Sequence, residues 1–197
     1  MDYRDLQSLI DSGPQFCKEE EIDSDVWQNY MHCKQEFYEK FTPNSVFSNL
    51  ISECNWVYRS QSASSRQMNV SVRPGDVCYL DYGQAYRFET GYQHFGLIVS
   101  MHCGKALIVP MTSNPEQYAA AYDEKTNPNG RRHLMRLGKI GMMNRDSVMF
   151  LNDMKYLNTA RIIDVKGHLD THSELFLQIK KRLIDMIDTT ENDQYPC

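Results

Sequence analysis

The stretch HFGLIVSMHCGKALIVPM, His94–Met111, decides how this chain folds. Two apolar runs, HFGLIVSM and KALIVPM, flank His102-Cys103-Gly104. Each is too short for a typical helix and is rich in β-branched residues, and a glycine sits between them. That pattern predicts a β-hairpin with a tight turn near Gly104.

Working outward, Arg73-Pro74-Gly75 reads as a turn, and DVCYLDY after it as a strand. HLMRLGKI and DSVMFL look like further strands, and MKYLNTARIIDV reads as a turn plus another strand. Several short strands at this spacing suggest a small closed or partly closed barrel. NPEQYAAAYDEKTNPNGRR carries two Asn-Pro pairs and an Asn-Gly and reads as a long loop, with a short helical turn through Glu116–Tyr122. Leu169, Leu175, Ile179, Leu183 and Ile187 form a ladder that predicts a closing amphipathic helix, capped by Asp170 or Thr171.

Upstream the texture is helical. Val26, Tyr30, Cys33 and Phe37 share one face of a helix within SDVWQNYMHCKQEFYEKF. A second helix starts at Thr42-Pro43, where threonine suits the cap and proline the first turn. Its apolar stripe is Val46, Leu50, Cys54 and Val57. Asp11-Ser12-Gly13-Pro14 ends a shorter first helix. SQSASSRQ, Ser60–Gln67, is polar and reads as a linker. The expected division is therefore a helical extension with its linker, 1–67, and a barrel domain, 68–197. The expected fold class is α+β: mostly β with helices.

The chain has 197 residues, 41% hydrophobic and 24% charged, an ordinary globular composition. Residues 1–69 carry 6 basic and 11 acidic side chains, whereas residues 70–197 carry 15 of each. An acidic segment does not attract phosphates, so any nucleic-acid contact is expected in the C-terminal two thirds. Its six cysteines show no CxxC and no zinc spacing, so metal and disulfide frameworks are not expected. No apolar run is long enough for a membrane span, and MDYRDLQSLIDSGPQF lacks a signal-peptide core. The expected location is the cytoplasm.

The order of these pieces resembles the MazF/PemK family of type II toxin–antitoxin toxins. The segments that carry the resemblance are GDVCYLDYG, a loop with Glu89, HFGLIVS, ALIVPMTSN, RDSVMFLNDMKYLNTARI and GHLD before a helix. It runs from about Pro74 to Ile187 and is closest over Arg145–Ile162. It implies an SH3-like small barrel with a C-terminal helix, usually a homodimer. It also implies metal-independent cleavage of single-stranded RNA by the ribose 2′-hydroxyl, leaving a 2′,3′-cyclic phosphate and a 5′-hydroxyl. No cofactor is expected, and an acidic antitoxin is an expected partner.

In the family a loop glutamate precedes a catalytic Arg-Pro pair by five residues. Here Glu89 is followed at that spacing by His94, with Phe95 in the proline's place. Thr112 matches the family's strand-end threonine. Asn152, with Asp153 next to it, occupies the place of an acidic residue used in another branch. The resemblance thus implies His94, Thr112 and Glu89 as the catalytic set. Arg87, Tyr92, Ser113, Arg131, Arg132, Lys155 and Arg161 are the candidate RNA contacts: cations for phosphates, and tyrosines such as Tyr82, Tyr86 and Tyr92 for stacking on unpaired bases. An imidazole in the arginine's place leaves three readings open. These are a nuclease with altered pH dependence, a non-catalytic module of the same fold binding RNA or an antitoxin-like protein, and a regulator acting by protein contact. Two readings of the acidic extension stay open: an added packing layer, or a tethered segment that covers the RNA groove.

Overall fold

Cys103 and Gly104 turn the chain back on itself with positive φ angles of 47° and 76°, as a two-residue type I′ hairpin turn requires. In the computed structural model, which describes residues 24–188, this turn joins β2 (Gln93–His102) to β3 (Lys105–Thr112). The expected break at Asp11–Pro14 lies outside the described residues. The other strands are β1 (Asp76–Asp81), β4 (Leu134–Gly138), β5 (Ser147–Phe150), β6 (Lys155–Asn158) and β7 (Ile162–His168). MKYLNTARIIDV thus holds two strands, separated by a 3₁₀ turn at Thr159–Arg161.

All pairings are antiparallel, in a seven-stranded sheet of order β4-β5-β3-β2-β1-β7 with β6 on β3. β3 divides its length between two partners: Lys105–Ile108 pairs with β6, and Met111–Thr112 pairs with β5. Because β6 runs directly into β7, the path β3-β2-β1-β7 returns to β3 through β6. The sheet therefore curls into a barrel-like ring, and the fold class is α+β.

Strand alternation sorts the core. Cys78, Leu80, Tyr82, Ile98, Ala106, Ile108 and Ile162 cluster on one face. Val77, Leu97, Val109, Met111, Met135 and Met149 line the other and meet Phe176, Ile179 and Leu183 of the closing helix. Burying one such aliphatic side chain is worth about 1.5–3 kcal/mol. Gly96 makes room within the first cluster, since a Cβ there would sit 2.3 Å from the Tyr82 hydroxyl and 2.5 Å from Ile108 Cγ2.

Four helices are described: α1 (Ser24–Tyr38), α2 (Pro43–Arg59), α3 (Pro115–Ala120) and α4 (Glu174–Asp188). None is long and apolar enough to cross a membrane among the described residues. Ser173 caps α4, its Oγ accepting from Phe176 N–H at 3.3 Å. Neither Asp170 nor Thr171 does this; Asp170 instead accepts from His172 N–H at 2.9 Å in the turn before the helix.

The residues group into two units, Met1–Phe47 and Ser48–Cys197. In the first, Val26, Tyr30, Cys33 and Phe37 do fall on α1, with Cys33 buried and Tyr30 and Phe37 exposed. The part of α2 in the second unit reverses its expected polarity. Leu50, Cys54 and Val57 are exposed, while the buried residues are Asn49 and Ser52. Hydrogen bonding explains the reversal. Ser52 Oγ donates to Asp81 Oδ1 at 2.7 Å and Asn55 Nδ2 to Asp81 Oδ2 at 2.8 Å. Arg59 donates to the carbonyls of Ala160 and Ile162 at 3.1 and 3.0 Å. The serine-rich 60–67 stretch docks by the same means: Ser65 is buried and its N–H donates to Thr159 Oγ1 at 3.1 Å.

Candidate active site

The register of the sheet determines which candidates meet. β2 and β3 pair Phe95 with Met111 and Gly96 with Pro110. The pairing at this end closes with Phe95–Met111; continued one step, the same register would set His94 opposite Thr112. Directly opposed residues share a face, so both side chains lie on the face that carries Gly96 and Ile98. Recorded pairs extend the row on both sides: Thr112 with Val148, Val148 with Arg136, His94 with Leu80, and Leu80 with Ile162. Two apolar clusters bracket the two polar residues: Leu80 and Ile162 on one side, Val148 and Leu134 on the other. His94 is exposed and Thr112 half-buried.

The loop 82–92 orients the histidine. Its neck is closed by Tyr82 N–H to Tyr92 O at 2.7 Å and Tyr92 N–H to Gly83 O at 2.6 Å. Thr90 N–H donates to Asp153 Oδ2 at 2.6 Å, and Lys155 Nζ lies 3.0 Å from Asp153 Oδ1. His94 Nδ1 lies 2.6 Å from the carbonyl oxygen of Gly91. A carbonyl only accepts, so Nδ1 carries the proton. In the neutral ring the lone pair is then on Nε2, available to take a proton from a substrate. Thr112 Oγ1 accepts from Asn114 N–H at 3.3 Å, leaving its O–H free to donate.

The remaining candidates occupy several places. Glu89 is exposed and accepts from Tyr86 N–H at 3.3 Å, bracing its own turn. Arg87 is exposed at the loop tip, its guanidinium 4.9 Å from the Phe88 ring. The Tyr92 hydroxyl accepts from Asn49 Nδ2 at 3.2 Å, which ties that ring to α2. Lys155 Nζ donates to Thr90 O of the loop at 3.5 Å, and Arg161 donates to Asp81 O at the end of β1 at 3.3 Å. Arg131 and Arg132 lie beside Tyr122, with Arg132 and Arg182 at 5.7 and 5.6 Å from its ring. Ser113 is exposed just past Thr112. Among the described residues no cluster of three or more His, Cys, Asp or Glu is placed to hold a metal ion.

Two features escaped the sequence reading. Arg136 shares the row of Thr112, but donates to Tyr118 O at 3.0 Å and Thr126 Oγ1 at 2.9 Å, which anchors α3 and its loop. Asp81 collects four donors: Ser52, Asn55, Gln93 Nε2 at 2.9 Å and Gly83 N–H at 2.8 Å. Burial alone pushes its carboxyl upward, but these hydrogen bonds outweigh it and hold the group below the usual carboxylate range.

No protein-family model and no curated protein matches the chain. Among solved structures, MazF from Deinococcus radiodurans in crystal form I overlays with a TM-score of 0.45 at 12% identity, covering 61% of this chain and 99% of that one. An endoribonuclease from Mycobacterial species, solved with its cognate antitoxin, overlays at 0.39 and 12% identity, covering 59% and 93%. The Mycobacterium tuberculosis toxin MazF-mt6 overlays at 0.38 and 12% identity, covering 57% of this chain and 97% of that one. Overlays at this level transfer no residue's role to this chain.

Proposed function

We propose that this chain is a metal-independent endoribonuclease that cleaves single-stranded RNA by attack of the ribose 2′-hydroxyl on the adjacent phosphate. The observation that supports this reading is the β2–β3 register, which continued one step past the Phe95–Met111 pair puts His94 and Thr112 on one face, together with the Nδ1–Gly91 hydrogen bond that leaves the lone pair of His94 on Nε2. Nε2 takes the 2′-hydroxyl proton as the oxygen attacks phosphorus. The Thr112 hydroxyl donates to a phosphoryl oxygen as charge grows there. The P–O5′ bond breaks, and the protonated imidazole returns its proton to the leaving oxygen. The products are a 2′,3′-cyclic phosphate and a 5′-hydroxyl. The nucleophile belongs to the substrate, so the chain needs no reactive serine or cysteine.

Arg87 reaches the backbone from the exposed loop tip, and an acidic antitoxin would compete with RNA for this cationic end. A cytoplasmic homodimer fits the family resemblance in the sequence. A second reading, a non-catalytic module holding RNA or an antitoxin-like protein, is favoured by one feature: an imidazole stands where the family pattern has a permanently charged arginine. The test is RNA incubated with pure protein in EDTA, followed by end-group analysis. Cyclic phosphate ends that vanish in His94→Ala and Thr112→Ala support the nuclease. RNA that is bound and left intact by the unaltered chain supports the module.

A further inference from the structure

On the opposite face of the same strand ends lies a cavity whose lining, apart from the candidate RNA contact Ser113, has no role above. Phe95 follows His94, and Ser113 follows Thr112; both line it, with Met142, Met143, Arg145 and Lys166. Its volume is 180 Å³, less than the roughly 300 Å³ at which drug-sized pockets begin. It therefore suits one planar ring better than a whole nucleotide. The Phe95 ring is held by Tyr79, 5.3 Å away between centroids, so that wall is pre-positioned. The two methionine side chains supply soft, polarisable surface that adapts to a flat partner. At the rim Lys166 pairs with the Asp164 carboxylate. Arg145 is exposed and has no ion pair among the described residues.

The geometry points to this cavity as a base-recognition subsite for single-stranded RNA, one nucleotide removed from the phosphate at His94 and Thr112. The identity of the ligand rests on the nuclease reading above. β2 begins at Gln93 and β3 ends at Thr112, so both sites flank the same rim, and a strand that rounds it meets the two in succession. A base inserted between Phe95 and the methionines loses its contact with water on both faces, while Arg145 meets the neighbouring phosphate. Stacking of this kind is worth about 1–3 kcal/mol per base, or roughly 5- to 150-fold in affinity.

The experiment uses the full chain and fluorescent hexamers of adenylate, cytidylate and uridylate in uncleavable 2′-deoxy form, titrated by anisotropy in EDTA. The same proteins are then used to map cut positions on a long RNA. The variants are Arg145→Glu and Met142→Asp, both at exposed positions, with thermal melts confirming the fold. Lys181→Glu, the same charge change on α4 outside the cavity, is the control. Expected are a loss of affinity of tenfold or more in both cavity variants, a change of less than about threefold in the control, and a flattened preference among the three hexamers in Met142→Asp. Unchanged affinity and preference in the cavity variants overturn the subsite. If the unaltered chain binds but never cuts while the cavity variants lose affinity, the nuclease reading fails and the subsite stands. If the cavity variants cut at the original rate and positions, the subsite fails and the nuclease stands. No binding of any hexamer together with no cut in the long RNA sinks both.

Discussion

The Gly91 carbonyl restricts His94 more than its exposure suggests. Its acceptance of the Nδ1 proton at 2.6 Å fixes both tautomer and ring orientation. A glutamine at this position keeps an N–H donor but loses the titrating base. His94→Gln is therefore expected to fold normally and to lower the cleavage rate about 10²–10⁴-fold, measured by single-turnover cleavage of a labelled RNA. Thr112→Val removes only the hydroxyl and is expected to cost about 10²–10³-fold, whereas Thr112→Ser restores most of it; equal rates for the two would end the donor role. Cys78 illustrates the opposite case, a group the fold silences. Burial first, then the charges of Asp76 and Asp164, push its thiol up to about 12. In the native protein at pH 8, maleimide labelling followed by peptide mapping is expected to modify exposed Cys54 and Cys103 and to spare Cys78.

Among the elements, α2 shows how hydrogen bonding can overrule an apolar stripe. Within the second unit it docks through Asn49, Ser52, Asn55 and Arg59 and leaves Leu50, Ile51, Trp56, Val57 and Tyr58 exposed. Removing the donor on Ser52 leaves Asp81 under-satisfied in a buried place. Ser52→Ala is expected to cost about 1–3 kcal/mol, while Val57→Lys on the outer face stays within about 0.5 kcal/mol, both by urea denaturation. Asp81 adds a pH signature. Its carboxyl is held low in the folded state, so the unfolded chain binds its proton first as pH falls. Its contribution is complete above the unfolded carboxylate value of about 3.9 and is lost as pH falls below that towards the folded value. Asp81→Asn is expected to be about 2 kcal/mol less stable at pH 7 and to approach the original chain at acid pH. A gap that stays constant from pH 7 to pH 3 would show that the carboxylate's charge is not what the four donors hold.

For the whole molecule, the interest lies in where the sheet unit acquires its support. A chain starting at Met68 lacks Ser52, Asn55 and Arg59, whereas one starting at Ser48 keeps them. The Met68 chain is expected to lose several kcal/mol against the Ser48 chain, each broken buried contact costing about 1–3 kcal/mol; coincident melting curves would show that α2 contributes nothing to the sheet. The strands, the hairpin turn and the closing helix were legible along the chain because each is written in short-range periodicity: two residues for a strand, about 3.6 for a helix, and a residue tolerant of positive φ between two apolar runs. His94 and Thr112 were legible as candidates only through the family resemblance of the segments around them. Whether the two share a face was not legible, because it depends on the register of two strands, and a slip of one residue would send one side chain to the other face. The same holds for the inward polar face of α2 and for the cavity at Phe95, Met142 and Arg145. Periodicity along one element specifies its local form. Which polar groups find partners, and which faces stay open, is settled only when distant segments compete for the same donors, acceptors and space.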